Sequence, residues 1–183
     1  MKKLVLLAGL LLLGLKPMTA QTIDEMLMEA NRLYVGGSFE EGVALLIQVA
    51  GQTNSPDFQQ KSADAFYWIR EMAEDGYVKA QSALATLYFY GVGNPQNYDE
   101  AFAWFSKAAE QGHAKAQYGL GFMYLNIKND PSAAFDWFLK AAKQGNLDAA
   151  DNLVLMYNTG QGVALDKEQA AYWQGVIKTL EGK

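Results

Sequence analysis

The chain has 183 residues, of which 50% are hydrophobic and 13% are aromatic, and it contains no cysteine. This composition is too apolar for a disordered chain and is sufficient for one sizeable core. The formal net charge of −5 argues against a nucleic-acid partner, because phosphate neutralisation needs a basic surface. The lack of cysteine excludes disulfides, thiolate metal sites and a lipid anchor on an N-terminal cysteine.

Residues 1–20 have the pattern of a secretory signal peptide. Two lysines precede an uncharged apolar run at residues 4–15, and Lys16 and a short tail ending in Ala20 follow it. A membrane-spanning helix needs about 20 apolar residues, so this run is too short to be one. The alternative is a buried N-terminal helix, but a run that is apolar on every side between basic flanks is more typical of a leader. We predict cleavage after Ala20 and a periplasmic or secreted location in the bacterial envelope.

The next part of the chain predicts a helical hairpin and then a longer helix. Apolar residues follow helical spacing over residues 22–36, where Thr22 as N-cap and Glu25 form a capping box. A second helix is predicted over residues 39–50. The longer helix is predicted over residues 57–75. We assign residues 21–56 to a degenerate N-terminal hairpin, in which Leu33, Tyr34 and Gly37 resemble the pattern of a tetratricopeptide hairpin. Residues 57–183 are assigned to a repeat region that ends in a capping helix.

Landmark residues recur along the repeat region at spacings of 36 and 33 residues. Such self-similarity is typical of a solenoid of stacked units, none of which can bury its apolar face alone. The tryptophans recur with differences of 36, 33 and 36, and the glycines that end the helices before the next unit share the first two steps. These positions are Trp68, Trp104, Trp137 and Trp173, and Gly76, Gly112 and Gly145.

Each unit is predicted to contain two helices, A and B, whose apolar faces meet. Helix A presents small and large apolar residues at helical spacing, and helix B presents alanines beside the repeated tryptophan. We predict that the tryptophans belong to the core and that truncating a buried one to alanine costs about 3–5 kcal/mol. The helix-A positions are Ala80, Leu84, Leu87 and Tyr88, then Ala116, Leu120, Met123 and Tyr124, then Ala149, Leu153, Met156 and Tyr157.

The pattern predicts an all-α fold, a right-handed α/α superhelical solenoid of about nine helices in antiparallel pairs. The loops from helix A to helix B differ between units. The first and third contain Gly-x-Gly at Gly91 and Gly160, whereas the second is three residues shorter and lacks both glycines. Loops tolerate such changes because only the helices carry the core.

The first repeat contains two recurring motifs, A-x-x-x-L-[AG]-x-[LM]-Y-x-x-G-x-G at residues 80–93 and A-x-x-W-F-x-K-A-A-x-Q-G at residues 101–112. These motifs resemble those of a known family, the Sel-one-like repeat (SLR), a relative of the tetratricopeptide repeat. Residues 134–145 match the second half again, and the likeness spans about residues 62–178. The middle unit departs from the family by lacking Gly-x-Gly, and the last has Val176-Ile177 where the family has Ala-Ala. The resemblance implies a protein-binding solenoid.

A candidate partner-binding groove follows from helix geometry and from this resemblance. A helical residue two places from a core position points about 200° away from it, and in the families resembled that face of helix A lines a concave groove that holds peptides. Burial of Phe122 and Leu125 against the next repeat is an equally open interpretation. The predicted groove residues are Ser82, Thr86 and Phe89, then Tyr118, Phe122 and Leu125, then Asp151, Leu155 and Asn158, flanked by Lys79, Tyr90, Lys115 and Asn126.

The sequence offers no set of residues for catalysis, for a cofactor or for a metal. The Gly-x-Gly segments follow helices rather than strands and lack the Lys-Ser/Thr of a phosphate loop, so we interpret them as turns with positive φ. His113 is the only histidine and is interpreted as a solvated residue between helices. Carboxylates such as Asp148 and Asp151 occur in first turns, where they complement the helix dipole. We predict a protein without enzymatic activity.

Two functions remain compatible with these observations. We predict an exported adaptor or scaffold that binds a protein or peptide partner through the helix-A groove, without binding nucleic acid and without stable membrane insertion after signal cleavage. The alternative, implied by the resemblance, is an immunity protein that neutralises a secreted, lipase-like effector enzyme. An adaptor can bind several partners loosely, whereas an immunity protein needs one tight and stoichiometric complex.

Overall fold

The computed structural model describes residues 23–50 and 56–182. Within these ranges the chain forms nine helices. The predicted leader and the Thr22 cap lie outside these residues. The helices are α1 (Ile23–Val35), α2 (Phe39–Ala50), α3 (Pro56–Glu74), α4 (Val78–Tyr90), α5 (Tyr98–Glu110), α6 (Ala114–Asn126), α7 (Pro131–Lys143), α8 (Leu147–Thr159) and α9 (Lys167–Glu181). Helix A of the three repeats corresponds to α4, α6 and α8, and helix B corresponds to α5, α7 and α9.

Polar side chains start several of these helices. Asn146 Oδ1 accepts a hydrogen bond from the Ala149 amide at 2.8 Å, and Asp166 Oδ1 accepts from two amides of the first turn of α9. His113, interpreted from the sequence as a solvated residue, caps α6 by accepting from the Ala116 amide at Nδ1, 3.4 Å away. Each cap satisfies an amide that has no partner inside its helix.

The chain divides into two units, which meet inside α5 between Trp104 and Phe105. In the N-terminal unit α1 packs on α2 and α3, while α2 and α3 also pack on α4. In the C-terminal unit α6 packs on α7, α7 on α8, and α8 on α9. Each unit has its own apolar core, in agreement with repeats that bury their faces by stacking on neighbours.

The core face predicted for the A helices is buried in all three repeats except at its last position, where Tyr88, Tyr124 and Tyr157 are half-buried. One alanine near the start of each A helix, and the leucine four residues after it, are at most 1% exposed. Alanine at these positions removes side-chain bulk, so the paired backbones can approach closely while leucine fills the remaining space. The residues are Ala80 and Leu84, Ala116 and Leu120, and Ala149 and Leu153.

The repeated tryptophans are less deeply buried than predicted at three of the four positions, although Trp68 and Trp104 do pack against the N-terminal core. Trp68, Trp104 and Trp137 are only half-buried, whereas Trp173 is 5% exposed. Trp68 lies at the edge of the N-terminal core, with its ring centroid 5.5 Å from that of Tyr34. Lys140 Nζ covers Trp137, 3.7 Å from the ring centroid.

After Trp68, Trp104 and Trp137, the buried position is the next residue along the chain, whereas in α9 Trp173 itself is buried. Ile69, Phe105 and Phe138 are 0%, 7% and 0% exposed. Two glycines of α6 make room for the phenylalanines: a Cβ at Gly119 would lie 2.7 Å from the Phe105 ring, and one at Gly121 would lie 2.8 Å from the Phe138 ring. The Phe105 and Phe138 rings occupy the space that side chains at Gly119 and Gly121 would fill. At these two positions the phenylalanine, and not the neighbouring tryptophan, is therefore in the core.

The second glycine of each Gly-x-Gly loop lies against the start or first turns of an earlier helix. A Cβ at Gly93 would lie 2.1 Å from the Ser62 carbonyl oxygen, and one at Gly162 would lie 2.2 Å from that of Pro131. Both glycines have positive φ, as predicted. The shorter α6–α7 loop instead turns at Asn129, with φ 54°, before Asp130 caps α7.

A buried glutamine near the start of an A helix was not anticipated from the sequence. Gln81 Nε2 donates to the Ala73 carbonyl oxygen and Gln117 Nε2 to that of Ala109, both at 3.2 Å. These carbonyls lie in the last turn of the preceding helix, where each also accepts the amide of the glycine that follows the helix, Gly76 or Gly112. The Ala-Gln dipeptide recurring 36 residues apart was the available signal.

Replacing Gly162 with alanine is expected to lower the free energy of unfolding by about 2–4 kcal/mol, because positive φ is strained for alanine and its Cβ would overlap Pro131. Gly145→Ala is the matched control, since Gly145 also has positive φ but no atom within 4 Å of a Cβ. We expect that control to lose about 1–2 kcal/mol. Urea denaturation measures both, and equal losses would contradict the close contact.

Phe138→Ala is expected to cost about 3–5 kcal/mol, because it empties a fully buried site. Trp137→Ala should cost less than about 2 kcal/mol, because the larger ring is half-buried and buries less apolar area. Thermal and urea unfolding of the two neighbouring variants give the comparison. If Trp137→Ala were less stable than Phe138→Ala, the sequence-based prediction that the tryptophan is the core residue would be correct after all.

Candidate partner-binding face

The predicted groove face is covered at its first position on α4. Ser82 is 3% exposed, and its hydroxyl donates to Glu40 Oε1 on α2 at 3.0 Å. Thr86 is half-buried and donates to the Ser82 carbonyl oxygen at 2.9 Å. These contacts arise because α2 packs on α4. Lys79, at the start of the helix, remains exposed.

Two aromatic residues of the predicted face end α4. Phe89 and Tyr90 are half-buried, with ring centroids 5.0 Å apart in an edge-to-face arrangement. Tyr98, the first residue of α5, lies 5.3 Å from Phe89 between centroids. Edge-to-face geometry is the favoured one for aromatic pairs, so Phe89 contributes to local packing as well as to surface.

The predicted residues of α6 are mostly half-buried. Tyr118 packs on Phe138 with centroids 5.7 Å apart, and Leu125 packs against the core of the C-terminal unit. Phe122 is also half-buried, whereas Lys115 and Asn126 are exposed. The Asn126 amide donates to the Phe122 carbonyl oxygen at 3.0 Å, so its side chain is held along the helix.

The predicted residues of α8 are all exposed. Asp151, Leu155 and Asn158 are spaced i, i+4 and i+7, which places them on one side of the helix. Leu155 is 54% exposed, although Leu153 and Met156 of the same helix are buried. Of the three A helices, α8 is therefore the one on which every predicted residue of the face is exposed.

A group of carboxylates lies beside this part of α8. Burial and then the charge of Asp151 raise the pKa of Asp148 to about 6. Burial and then the charge of Glu181, at the end of α9, raise the pKa of Asp151. The sequence accounted for Asp148 through the helix dipole alone. The structure adds desolvation and repulsion, which oppose ionisation.

Nothing in this geometry supplies a metal centre or a membrane span. Within residues 23–50 and 56–182, no three His, Cys, Asp or Glu side chains come close enough together to hold a metal ion. None of the helices in the same ranges combines the length and hydropathy needed to cross a bilayer. The exposed face of α8 offers hydrogen bonding, charge and apolar contact, which are the means of recognising another molecule.

The repeats match one family along most of the described helices. The Sel1 repeat profile matches residues 78–113, 114–146 and 148–173, which together make up just over half of the chain. The chain belongs to the Sel1 repeat family. Its matched segments begin at α4, α6 and α8, so the A and B helices defined above are those of Sel1 repeats. No curated protein matches the sequence significantly.

Solved structures agree with this assignment. A Sel1 repeat protein from Oxalobacter formigenes is 28% identical, with a TM-score of 0.59 over 62% of this chain and 88% of that chain. A protective antigen of uropathogenic Escherichia coli with an SLR fold is 25% identical, with a TM-score of 0.63 over 88% of this chain and 38% of that one. The predicted all-α solenoid class is confirmed.

Immunity proteins from Pseudomonas aeruginosa share the fold as well. One of them is 21% identical, with a TM-score of 0.54 over 98% of this chain and 81% of its own. A second is 17% identical, with a TM-score of 0.53 over 93% of this chain and 86% of its own. At these identities the likeness is one of fold, and this Sel1 repeat protein shares their architecture.

Replacing Asp148 with asparagine is expected to change the pH dependence of stability. The pKa of Asp148 is raised on folding, so the folded state favours the neutral acid and loses stability as the pH rises from about 4 to about 6. Asp148→Asn should therefore raise Tm by about 1–3 °C at pH 7.5, with the difference vanishing near pH 4. Thermal scans between these values test this, with Asp136→Asn on an exposed site as control. An advantage that persists unchanged at pH 4 would contradict the assignment.

Proposed function

We propose that this Sel1 repeat protein is exported to the bacterial envelope and acts there as a protein-binding adaptor, with the helix-A face as its contact surface. The observation that carries the proposal is the exposed side of α8, where Leu155 stands between Asp151 and Asn158. Export rests on the basic, apolar and small-residue pattern of residues 1–20.

The contact surface can vary independently of the fold. In α8 the buried residues Ala149, Leu153 and Met156 are at most 1% exposed, and they hold the helix in place. Leu155 contributes little to that packing because more than half of it faces solvent. An exposed apolar side chain with polar neighbours is the arrangement expected at the centre of a small recognition patch.

The three repeats contribute unequally to this proposed surface. On α4 the Ser82 hydroxyl is already bonded to Glu40, so that position has little capacity for a partner. On α6 Lys115 is exposed, but Phe122 is half-buried and presents only part of its ring. We therefore place the main contact on α8 and propose a scaffold rather than an enzyme, with a protein or peptide as its partner.

Inhibition of a secreted enzyme is a second candidate. This candidate is favoured because the structural match to an immunity protein from Pseudomonas aeruginosa covers 98% of this chain and 81% of that one. In this candidate function the protein blocks an effector enzyme in the same compartment, using the architecture that it shares with the immunity protein. This candidate requires a complex with one partner at fixed stoichiometry, whereas an adaptor can exchange partners.

The double variant Leu155→Ser and Asn158→Ala is expected to bind its partner at least tenfold more weakly. Both side chains belong to the proposed contact, and truncating a central contact residue costs more than about 1 kcal/mol of binding free energy. Partners are captured from envelope extract, identified by mass spectrometry, and their affinities for both proteins are measured by calorimetry. Tyr172→Ser is the matched control, because Tyr172 is 61% exposed on α9, outside the proposed contact.

The results separate the candidates. Several partners of modest affinity, all weakened by the α8 variant, support the adaptor. One tight partner at fixed stoichiometry, whose enzymatic activity the protein abolishes, supports inhibition. Partners that bind the α8 variant and the protein equally well would overturn the assignment of the surface, provided circular dichroism shows that the variant is folded.

A further inference from the structure

A cavity of about 450 Å³ lies in the N-terminal unit, between the start of α3 and the loop from α4 to α5. Buried Phe58 and Val92 form apolar walls, and Gln59, Ser62, Tyr90 and Asn94 provide polar groups. All the lining residues that belong to the described part of the chain are uncharged. Its volume is in the range of pockets that hold small molecules, and an ion would find no opposite charge there.

One polar atom of this lining has no hydrogen-bond partner. The Asn94 side-chain amide donates through Nδ2 to the Pro95 carbonyl oxygen at 2.9 Å, which fixes the orientation of the amide. Its Oδ1 is buried and accepts no hydrogen bond from any described residue. Buried acceptors without a donor are uncommon in folded proteins, and each calls for a reason.

The third repeat shows that the loop does not require asparagine there. Gly160 and Gly162 have φ of 73° and 76°, close to the 68° and 77° of Gly91 and Gly93. The residue equivalent to Asn94, which is 69 positions further along, is a valine that packs against the core of its unit. An apolar side chain satisfies the same turn, so the unpartnered acceptor of the first loop is not a requirement of folding.

Tyr90 supplies a second polar group to the cavity. Burial raises the pKa of Tyr90 to about 12, so its hydroxyl stays neutral and can donate a hydrogen bond at physiological pH. Within the described residues, no hydrogen bond occupies this hydroxyl. The equivalent position in the third repeat is Thr159, whose hydroxyl donates to the Leu155 carbonyl oxygen at 2.9 Å.

We propose that this cavity binds an uncharged secondary amide, as found in an N-acetylated sugar or in a peptide bond. The N–H of such a group would donate to Asn94 Oδ1, and its carbonyl oxygen would accept from the Tyr90 hydroxyl. Phe58 and Val92 would contact the carbon atoms beside the amide. This site is formed without any residue of α8, so it goes beyond the proposed partner-binding function and does not depend on it.

Titration of the ¹⁵N-labelled protein tests the site. N-acetylglucosamine and N-acetylglycinamide are the two probes, and glucose is the control that lacks an amide. We expect saturable shifts of the amide signals of residues 91–94 with at least one probe, and none with glucose. The probe that binds more tightly identifies the sugar or the peptide as the source of the amide. No saturable shift with either probe, or equal binding of glucose, would overturn the proposal.

Asn94→Val separates recognition from folding, because the third repeat already places valine in this turn. The variant should keep or raise Tm, since it removes an unpartnered acceptor, and should bind the probes at least about fivefold more weakly, as expected for one lost hydrogen bond. Tyr90→Phe should weaken the probes similarly and keeps the ring. If both variants bind the probes as tightly as the unaltered protein, with unchanged shifts of the amide signals, the cavity has no role in amide recognition.

Discussion

Close approach between paired helices is the constraint on which the rest of this structure depends. In the C-terminal unit it is visible at Gly121, whose missing side chain leaves room for the Phe138 ring, and at Gly119, which does the same for Phe105. Fully buried alanines such as Ala116 and Ala134 also carry little side-chain bulk, so the facing helices can approach closely at these positions. Packing of this kind leaves little freedom in the core and concentrates variation on the outer faces.

The same constraint governs the loops. Gly93 and Gly162 lie so close to the carbonyl oxygens of Ser62 and Pro131 that a side chain would overlap them, and these contacts attach each loop to an earlier helix. The middle loop avoids the contact by being shorter and turning at Asn129. Loop length therefore varies where the backbone is not held against a neighbour, while a Gly-x-Gly loop keeps its shape and changes only its side chains, from Asn94 to Val163.

Periodicity predicted the helices well, because burial repeats every turn. The helix expected over residues 39–50 has those bounds, and the one expected over 57–75 is Pro56–Glu74. Periodicity could not decide between adjacent aromatics: Trp137 and Phe138 are one residue apart, and the choice depends on glycines in another helix. The sequence-based prediction of the candidate site had the same limit, because it could not show how other helices pack. Helix geometry identifies the face of α4 that carries Ser82, but only the packing of α2 shows that this position is covered.

Equivalent positions in the three repeats thus serve different purposes at one backbone geometry. Ser82 holds two helices together, Tyr118 packs on its own hairpin partner, and Asp151 faces solvent beside other carboxylates. The cost of the last arrangement is the repulsion and desolvation that raise the pKa of Asp148 to about 6. A repeat whose core is satisfied by alanine, leucine and phenylalanine can tolerate such a cost at its surface, because the core residues are not involved. Two features of this chain are therefore not explained by folding alone. One is the repulsion between carboxylates on α8, and the other is Asn94 Oδ1, which accepts no hydrogen bond from the described residues.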